Sequence, residues 1–458
     1  MALLIRWSRP TLSFVLLLAL FAAIWVAGGV SRADVPGQVI VRGVAWMALV
    51  VGMLLAERPR WGDARPIDVL LAAAIALAAL QLAPLPPGIW QALPGRTPFA
   101  DAALGEAGQS WRSWSIVPGA TANALFSMVV PLTTLLLATG IRPAERAILP
   151  GILLGLIVAS VVIGLMQFSG GGFNNPLVND TPGQVSGTFA NRNHFALFVA
   201  FGCVLAPVWA FHGGRPRWRG PVALGLLPLF ALTILASGSR AGMIVGVIGL
   251  GAGLAITWRP LRKELGRYPR WVSPALIAGF VAMILALVAI SVAADRAVSI
   301  SRALTVEPGE DMRRRALPTV LEMVGAYFPA GAGLGSFDPI FRIHEPFALL
   351  ALTYFNHAHN DFLEIILDTG LPGLLLLAAA IGWWLWASVR AWRGKEALPR
   401  LGSALLLLVL VASLFDYPAR TPIIMASLIV AALWLNGGGT RCTEGRAGPA
   451  LPIGRRDL

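Results

Sequence analysis

The side chains best suited to moving a proton lie just before an apolar stretch near the end of the chain. His359 and Asn360 precede a helical pattern in which Asp361, Glu364 and Asp368 recur at positions i, i+3 and i+7 of one face. Asn360 is placed to cap that helix. Because nearby carboxylates favour the protonated imidazole, the pattern predicts a raised pKa for His359 and a base that works near neutral pH. The alternative is a solvated interfacial helix with an incidental histidine.

A second element has the chemistry of an anion site. Arg240 follows Ser239 at the start of an apolar stretch in which Gly242, Gly246 and Gly249 would permit close helix packing. A cation at a helix N-terminus opposes the helix dipole, so its natural complement is an anion held by the guanidinium and the free backbone N–H groups. The alternative is an arginine that reaches lipid phosphates.

Three consecutive arginines form the third element. Arg313, Arg314 and Arg315 follow a short acidic stretch and would by themselves be a solvated charge cluster. Together with Arg240 they could clamp a diphosphate bidentately, which arginine does better than lysine.

Amides and a second histidine complete the candidate residues. Asn191 and Asn193 lead into an apolar stretch, where amides suit sugar hydroxyls but also cap helices. His357 and Asn360 are further candidates for substrate binding. Only two cysteines occur, so the chain has neither a disulfide framework nor a thiolate metal site.

The composition identifies the elements that must position these residues. Hydrophobic residues make up 57% of the chain, charged residues make up 13%, and the mean hydropathy is +0.72, which indicates an integral membrane protein. A helix needs about 20 residues to cross a bilayer core of ~30 Å. The sequence predicts an all-α polytopic protein with about twelve spans. They lie near 11–30, 39–56, 67–84, 119–140, 147–168, 193–212, 220–236, 241–258, 273–293, 371–389, 402–415 and 422–436.

Basic residues predict the orientation. With the N-terminus inside, alternate connections and the two termini hold 23 of the 36 Lys and Arg residues, as the positive-inside rule requires. The net charge of +13 therefore indicates a lipid bilayer and not nucleic acid. The first span, preceded by Arg6 and Arg9, is expected to be a retained anchor. The last residues, 441–458, are expected to form a basic cytoplasmic tail behind a single transmembrane domain at 1–440.

Two long connections fall on the outer side, at about 85–118 and 294–360. The longer one has helical apolar spacing from Leu317 to Tyr327 and ends in a glycine-rich stretch, Pro329 to Gly335. It predicts an external cap over the membrane domain. Four of the five histidines face outward in this topology, so any chemistry would be external.

The motifs resemble those of the O-antigen ligase family, which includes O-antigen polymerases and bacterial protein O-oligosaccharyltransferases. His359-Asn360, nine residues and then Gly370-Leu-Pro-Gly373 resembles the family's histidine and Gly-x-x-Gly spacing. The stretch from Gly187 to Asn193, the Ser239-Arg240 pair and an arginine before Pro329-Ala-Gly-Ala-Gly-Leu-Gly-Ser-Phe337 occur in the family's order. The specific resemblance covers about 186–373.

The resemblance implies a GT-C-like membrane glycosyltransferase of the bacterial inner membrane. Such an enzyme takes a glycan from an undecaprenyl diphosphate carrier and transfers it on the periplasmic face to a glycan, lipid A-core or protein acceptor. The resemblance implies that it does so without a metal ion and without a cofactor. In this reading His359 activates the acceptor hydroxyl, and Arg240 and Arg314, with Arg315, bind the diphosphate. Pro318 departs from the family, which often has tryptophan four residues after the second arginine, and it places the start of that helix in question.

Three alternatives stay open at this point. A polymerase of polysaccharide repeat units and a protein oligosaccharyltransferase would share the fold and differ in the acceptor. A transporter would use Arg240, Asp361 and Glu364 to line an ion pathway. Polar residues gathered at one membrane face argue against a transporter, whose sites tend to lie near the midplane.

Overall fold

The computed structural model of the protein is almost entirely helical. It describes residues 9–58, 64–101, 110–171, 173–178, 181, 183–212, 218–293, 308–350 and 355–437. The strands in this part of the chain are two residues long, Pro84–Leu85 (β1) and Arg112–Ser113 (β2), and they pair antiparallel with Pro84 opposite Ser113. The prediction of an all-α protein is confirmed. The expected basic tail at 441–458 lies outside the described residues.

The structure has eighteen α-helices in its described residues. In chain order they are α1 (Leu12–Ala27), α2 (Pro36–Leu55), α3 (Arg65–Leu80), α4 (Pro87–Ala92), α5 (Thr97–Asp101), α6 (Pro118–Ser127), α7 (Val129–Gly140), α8 (Pro143–Arg146), α9 (Leu149–Phe168), α10 (Arg192–Phe211), α11 (Arg219–Ser237), α12 (Arg240–Leu265), α13 (Val272–Ala293), α14 (Pro308–Tyr327), α15 (Phe337–His344), α16 (Asp361–Arg393), α17 (Ala397–Ala412) and α18 (Pro422–Asn436). Two 3₁₀ turns, Phe347–Leu349 and Pro418–Arg420, lie before α16 and α18.

Many of these helices can cross a membrane. Within the described residues, seven helical segments are long and apolar enough by length and composition: α2, α6 with α7, α8 with α9, α10, α11, α12 and α16. Three more apolar helices, α1, α17 and α18, are shorter. A polytopic membrane protein is therefore confirmed, and the number twelve stays a prediction.

The connections gather into two groups, as the alternating topology requires. In one group, Thr11 donates to Glu145 at 2.8 Å and Ser13 donates to Glu57 at 3.0 Å, which ties the residues before α1 and its first turn to α8 and to the α2–α3 connection. In the other group, the backbone of Ala190 bonds to Gly29. The second group also contains the turns before α12, α16 and α18, and it holds the candidate site.

The helix α10 lies at the centre of the bundle, with 89% of its most apolar window buried. It packs against α12, where a Cβ at Gly242 would overlap Ala196 and one at Gly249 would lie 2.8 Å from the Ala200 carbonyl oxygen. The predicted role of the α12 glycines in close packing is confirmed. Close packing of these two helices brings their N-termini together.

The helix α16 begins ten residues before the predicted span at 371–389 and is kinked at Gly370, which has φ 60° and ψ −144°. The kink rests on the glycine-rich stretch Pro329 to Gly335: Leu371 N–H donates to Pro329 O at 2.8 Å and Gly333 N–H donates to Asp368 O at 2.7 Å. A Cβ on Gly370 would overlap the Pro329 carbonyl oxygen. The two glycine motifs therefore form one contact between backbones.

A second, smaller apolar core lies beside the first turns of α16. It consists of residues from α14, α15 and the segments that follow, among them Val320, Met323, Phe337, Phe341 and Leu367. The helical pattern predicted for Leu317 to Tyr327 is confirmed, and the helix runs through Pro318 without ending there. Residues 294–307 of the expected cap lie outside the described part of the chain.

Candidate active site

A cleft of about 830 Å³ opens where α10, α12, α14 and α16 begin or approach one another. Six of the eight predicted site residues line it: Asn191, Asn193, Arg240, Arg314, His359 and Asn360. His357 and Arg315 lie outside its lining. These six residues, up to 169 positions apart in sequence, therefore share one cleft.

His359 is held by contacts on both sides of its ring. Its Nδ1 lies 2.9 Å from Oδ1 of Asp416, and its ring packs against Phe355 and Tyr417 at centroid distances of 5.3 and 5.1 Å. It is the one described non-glycine residue with positive φ, at 49°, a conformation that is uncommon outside glycine and is often found at functional sites. With Nδ1–H donating to the carboxylate, Nε2 has the free lone pair of a base.

Asp416 hydrogen-bonds to three side chains of the site, those of His359, Asn191 and Asn193. It is 2% exposed, and its Oδ2 accepts from Nδ2 of Asn191 at 3.0 Å and Nδ2 of Asn193 at 2.7 Å. Burial alone would raise the pKa of Asp416, but the hydrogen bond and charge of His359, with the charge of Arg313, hold it well below its usual value. The carboxylate is therefore ionised and able to orient the imidazole. Asn191 and Asn193, predicted as substrate ligands, have amide N–H groups committed to Asp416.

The prediction that carboxylates raise the pKa of His359 is wrong. Burial lowers the pKa of His359 below its ordinary value, and the hydrogen bond and charge of Asp416 offset that effect only in part. Desolvation dominates because the ring lies between Phe355 and Tyr417. The histidine is thus neutral, and able to accept a proton, at neutral pH.

The arginines divide between the cleft and its surroundings. Arg240 is the first helical residue of α12, whose N-cap Ser239 accepts from Gly242 N–H at 2.8 Å and donates to Asn193 Oδ1 at 2.7 Å. Arg313 and Arg314 line the cleft from α14, and Arg313 also donates to the Phe415 carbonyl at 3.3 Å.

Arg315, which we expected to bind the diphosphate, points elsewhere. It donates to the Ala348 carbonyl at 2.6 Å and is not in the cleft lining. On a helix, consecutive residues point about 100° apart, so three neighbouring arginines cannot share one direction. The register of this motif places Arg313 and Arg314 at the cleft.

His357 and Asn360 brace the loop that carries His359. His357 Nδ1 lies 2.8 Å from Glu364 Oε1, and its ring stacks on Tyr417 at 4.0 Å between centroids. Asn360 caps α16 by accepting from Leu363 N–H at 3.1 Å, which confirms the predicted cap, and it donates to the Leu414 carbonyl. The geometry gives His357 a structural contact in place of the predicted substrate contact.

The acidic face of α16 is neither solvated nor directed at His359. Asp361, Glu364 and Asp368 are at most 4% exposed. Arg420 lies among them, with nitrogen to oxygen distances of 3.4 Å to Asp361, 3.1 Å to Glu364 and 3.8 Å to Asp368. Although burial lowers the pKa of Arg420, the three carboxylates raise it overall, so the guanidinium is a permanent counterion. This cluster holds the turn after α17 against the first turns of α16.

Sequence reasoning missed Asp416 and Arg420. Both follow the predicted span at 402–415, which ends as a helix at Ala412 and then turns. They are the only charged residues between Arg400 and Arg441. Two isolated charges between two apolar helices are the signal that would have identified them, because such charges are costly beside hydrocarbon.

Comparison with known proteins agrees with the motifs. Residues 224–378 match the family model described as O-antigen ligase. No curated protein matches the chain significantly. The matched segment contains Arg240, Arg313, Arg314 and His359, and it ends before Asp416. In the described residues, no group of three or more His, Cys, Asp or Glu side chains is arranged to hold a metal ion.

Proposed function

We propose, from the premise that the chain belongs to the O-antigen ligase family through its domain at residues 224–378, that it is a membrane glycosyltransferase. It moves a glycan from an undecaprenyl diphosphate carrier to a hydroxyl of an acceptor. The observation that carries the proposal is the shared cleft. His359, whose Nδ1 lies 2.9 Å from the buried Asp416 carboxylate, lines it together with Arg240, Arg313 and Arg314. A base and a diphosphate site in one cleft are the two parts that such a transfer needs.

The reaction is a direct displacement at the anomeric carbon. Nε2 of His359 takes the proton of the acceptor hydroxyl while that oxygen forms a bond to the anomeric carbon. The bond from this carbon to the diphosphate oxygen breaks, and its electron pair leaves on the diphosphate. Arg240 and Arg314, with Arg313, stabilise the added negative charge by charge-assisted hydrogen bonds. Asp416 stabilises the imidazolium and keeps the imidazole in the reactive tautomer, and the anomeric configuration is inverted.

We infer that the cleft faces the periplasmic side of the inner membrane. This assignment is supported by the grouping of the connections, because the group that holds the cleft is the one with fewer basic residues. It places both termini in the cytoplasm. Reporter fusions in the connection at 85–118 test it, and a cytoplasmic signal there would contradict the assignment.

The decisive experiment supplies the purified chain with a lipid-linked glycan and three kinds of acceptor. A product on lipid A-core indicates a ligase, a longer lipid-linked chain indicates a polymerase, and a glycosylated protein indicates an oligosaccharyltransferase. We expect the ligase product. Retention of the anomeric configuration in any product would contradict the mechanism.

Two variants test the assigned roles. His359→Ala and Arg240→Ala are expected to abolish transfer while the protein stays folded and inserted. Normal transfer by either variant would remove that residue's role. Movement of a solute by the purified protein without glycosyl transfer would instead support a transporter.

A further inference from the structure

One arginine lies within a membrane-spanning helix and outside the cleft. Arg42 is six residues after Pro36, the first residue of α2, which places it about 9 Å along the helix axis. This end of α2 adjoins the cleft, because Gln38 donates to the carbonyl of Val30, a residue of the cleft lining. Arg42 itself is not part of that lining. A charged side chain at this depth is costly, so it is expected to have a partner.

The protein supplies Arg42 with an amide and not with a carboxylate. Nη1 of Arg42 donates to Oδ1 of Asn123 in α6 at 2.6 Å. Within the described residues, no Asp or Glu side chain pairs with Arg42, and its Nε is buried without a hydrogen-bond partner. An amide oxygen accepts a hydrogen bond but has no net charge. The positive charge of Arg42 is therefore not neutralised by this part of the chain.

Asn123 has a free donor next to Arg42. It is five residues after the start of α6, which begins at the same end of the bundle, because Thr121 donates to the Leu334 carbonyl of the glycine-rich stretch. While its Oδ1 accepts from Arg42, its Nδ2 has no hydrogen-bond partner among the described residues. Nη2 of Arg42 also has none there. Two adjacent side chains thus offer N–H donors together with one positive charge, which is the chemistry of a phosphate site.

The surface around Arg42 faces lipid. Val39 and Trp46, three residues before Arg42 and four residues after it, are 73% and 46% exposed, and Phe126 of α6 is 56% exposed. Positions three and four residues apart share one side of a helix, so Arg42 borders this apolar face. A Cβ on Gly43 would meet no atom within 4 Å, which leaves space beside the guanidinium. Because α2 crosses the membrane, a ligand that reaches Arg42 from this face is a lipid.

We propose that Arg42 and Asn123 bind the phosphate of an anionic phospholipid in the leaflet at the cleft end of the bundle. Nη2 of Arg42 and Nδ2 of Asn123 donate to the phosphate oxygens, and the acyl chains lie along Val39 and Trp46. The lipid is anionic because a zwitterionic headgroup brings an ammonium that competes with the guanidinium for the phosphate. The cleft has its own arginines for a diphosphate, so this site does not depend on glycosyl transfer.

The test uses the full chain in lipid nanodiscs that contain photoreactive phosphatidylglycerol or photoreactive phosphatidylcholine, with the reactive group next to the glycerol. Mass spectrometry locates the labelled peptides. We expect phosphatidylglycerol to label α2 and α6 beside Arg42 at a mole fraction about tenfold lower than phosphatidylcholine, as a charged hydrogen bond would give. Unlabelled phosphatidylglycerol should compete for this labelling. Competition by undecaprenyl diphosphate and not by phosphatidylglycerol would overturn the choice of ligand.

Two variants test the assigned donors. Arg42→Gln removes the charge, so labelling of α2 and α6 by phosphatidylglycerol should fall to the level seen with phosphatidylcholine. Asn123→Ala keeps the charge and should weaken the labelling by a smaller factor. The matched control is Arg342→Gln, because Arg342 has its own carboxylate, Asp338, at 2.9 Å. That variant should be labelled like wild type.

Labelling at the basic connections of the opposite end is the internal control and should be the same in every variant. Equal labelling of α2 and α6 by the two probes on wild type overturns the site, and so does labelling by phosphatidylglycerol that is unchanged in Arg42→Gln. The comparison of the two probes on wild type needs no variant, so it decides the question even where Arg42→Gln does not fold.

Discussion

Nδ1 of His359 lies 2.9 Å from Oδ1 of Asp416, although 57 residues and two helices separate them in sequence. The carboxylate is buried and is fixed by two asparagine amides from a third segment, so it has little freedom to leave the imidazole. This pair fixes the orientation of the His359 ring. In the proposed mechanism, it makes the activity depend on a residue outside the segment that matches the family model.

Asp416→Asn tests that dependence. The amide keeps the size of the side chain but cannot favour the Nδ1–H tautomer by charge, so we expect the rate of transfer to fall about 10²-fold or more. The variant should fold, because an amide still fits between Asn191 and Asn193. Transfer rate and gel-filtration profile are the measurements. A rate within threefold of wild type would show that the pair does not serve the chemistry.

The pH dependence follows from the lowered pKa of His359. A base whose pKa lies below the ordinary value of about 6.5 stays neutral at pH 7 and is lost only as the pH falls through that lower value. Plotted as kcat/KM, activity should be flat near neutrality and decline in acid. In Asp416→Asn the decline should move to still lower pH, because Asp416 raises the pKa of His359. A shift to higher pH would contradict the assignment.

Arg420→Gln tests the buried cluster on α16. Removing the cation leaves three buried carboxylates without their counterion, which costs about 3–5 kcal/mol. We expect a markedly lower Tm in detergent and a loss of transfer. Arg342→Gln is the control, since its pair with Asp338 is exposed and contributes at most about 1 kcal/mol. Equal Tm values for the two variants would refute a stabilising role for the cluster.

Gly370→Ala tests the kink. The added methyl group would meet the Pro329 carbonyl at a backbone conformation open essentially to glycine, so we expect a loss of about 1–3 kcal/mol and a lower Tm. Gly382→Ala, in the same helix with no atom within 4 Å of the added carbon, should leave Tm nearly unchanged. Equal Tm values for the two variants would contradict a stabilising role for the kink at Gly370.

The arginine register is tested by single substitutions in α14. Arg314→Gln should raise the KM of the donor about tenfold, as expected for a lost charged hydrogen bond, because Arg314 lines the cleft. Arg315→Gln should leave that KM unchanged, because its side chain bonds to the Ala348 carbonyl. The reverse pattern would place Arg315 at the diphosphate.

Sequence patterns predicted the parts of this molecule that depend on local order. The apolar stretches, the Asn360 cap and the glycine packing of α12 follow from periodicity and spacing along one segment. The placement of His359 and Arg240 in one site was expected from the predicted topology and the family resemblance. The glycine-rich stretch and Gly370 were recognised as motifs, but their mutual contact was not predicted, because its hydrogen bonds join backbones 35 and 42 residues apart.

The missed features depend on partners distant in sequence. The helical repeat predicted that Asp361, Glu364 and Asp368 share one face of α16. It could not predict that Arg420 pairs with that face. The pKa of His359 was misjudged because the carboxylates near it in sequence face away. Its actual partner, Asp416, lies beyond α16 and α17 in the sequence.

The position of Asp416 after α17 bears on how genes for this protein are read. A stop codon soon after codon 400 would leave the segment that matches the O-antigen ligase family model whole and every recognised motif in frame. The product would lack both the carboxylate that orients its base and the cation that neutralises α16. A search for the family motifs would classify such an allele as intact, although its product would be inactive. Supplying the missing two-helix hairpin as a separate polypeptide should restore transfer if it docks.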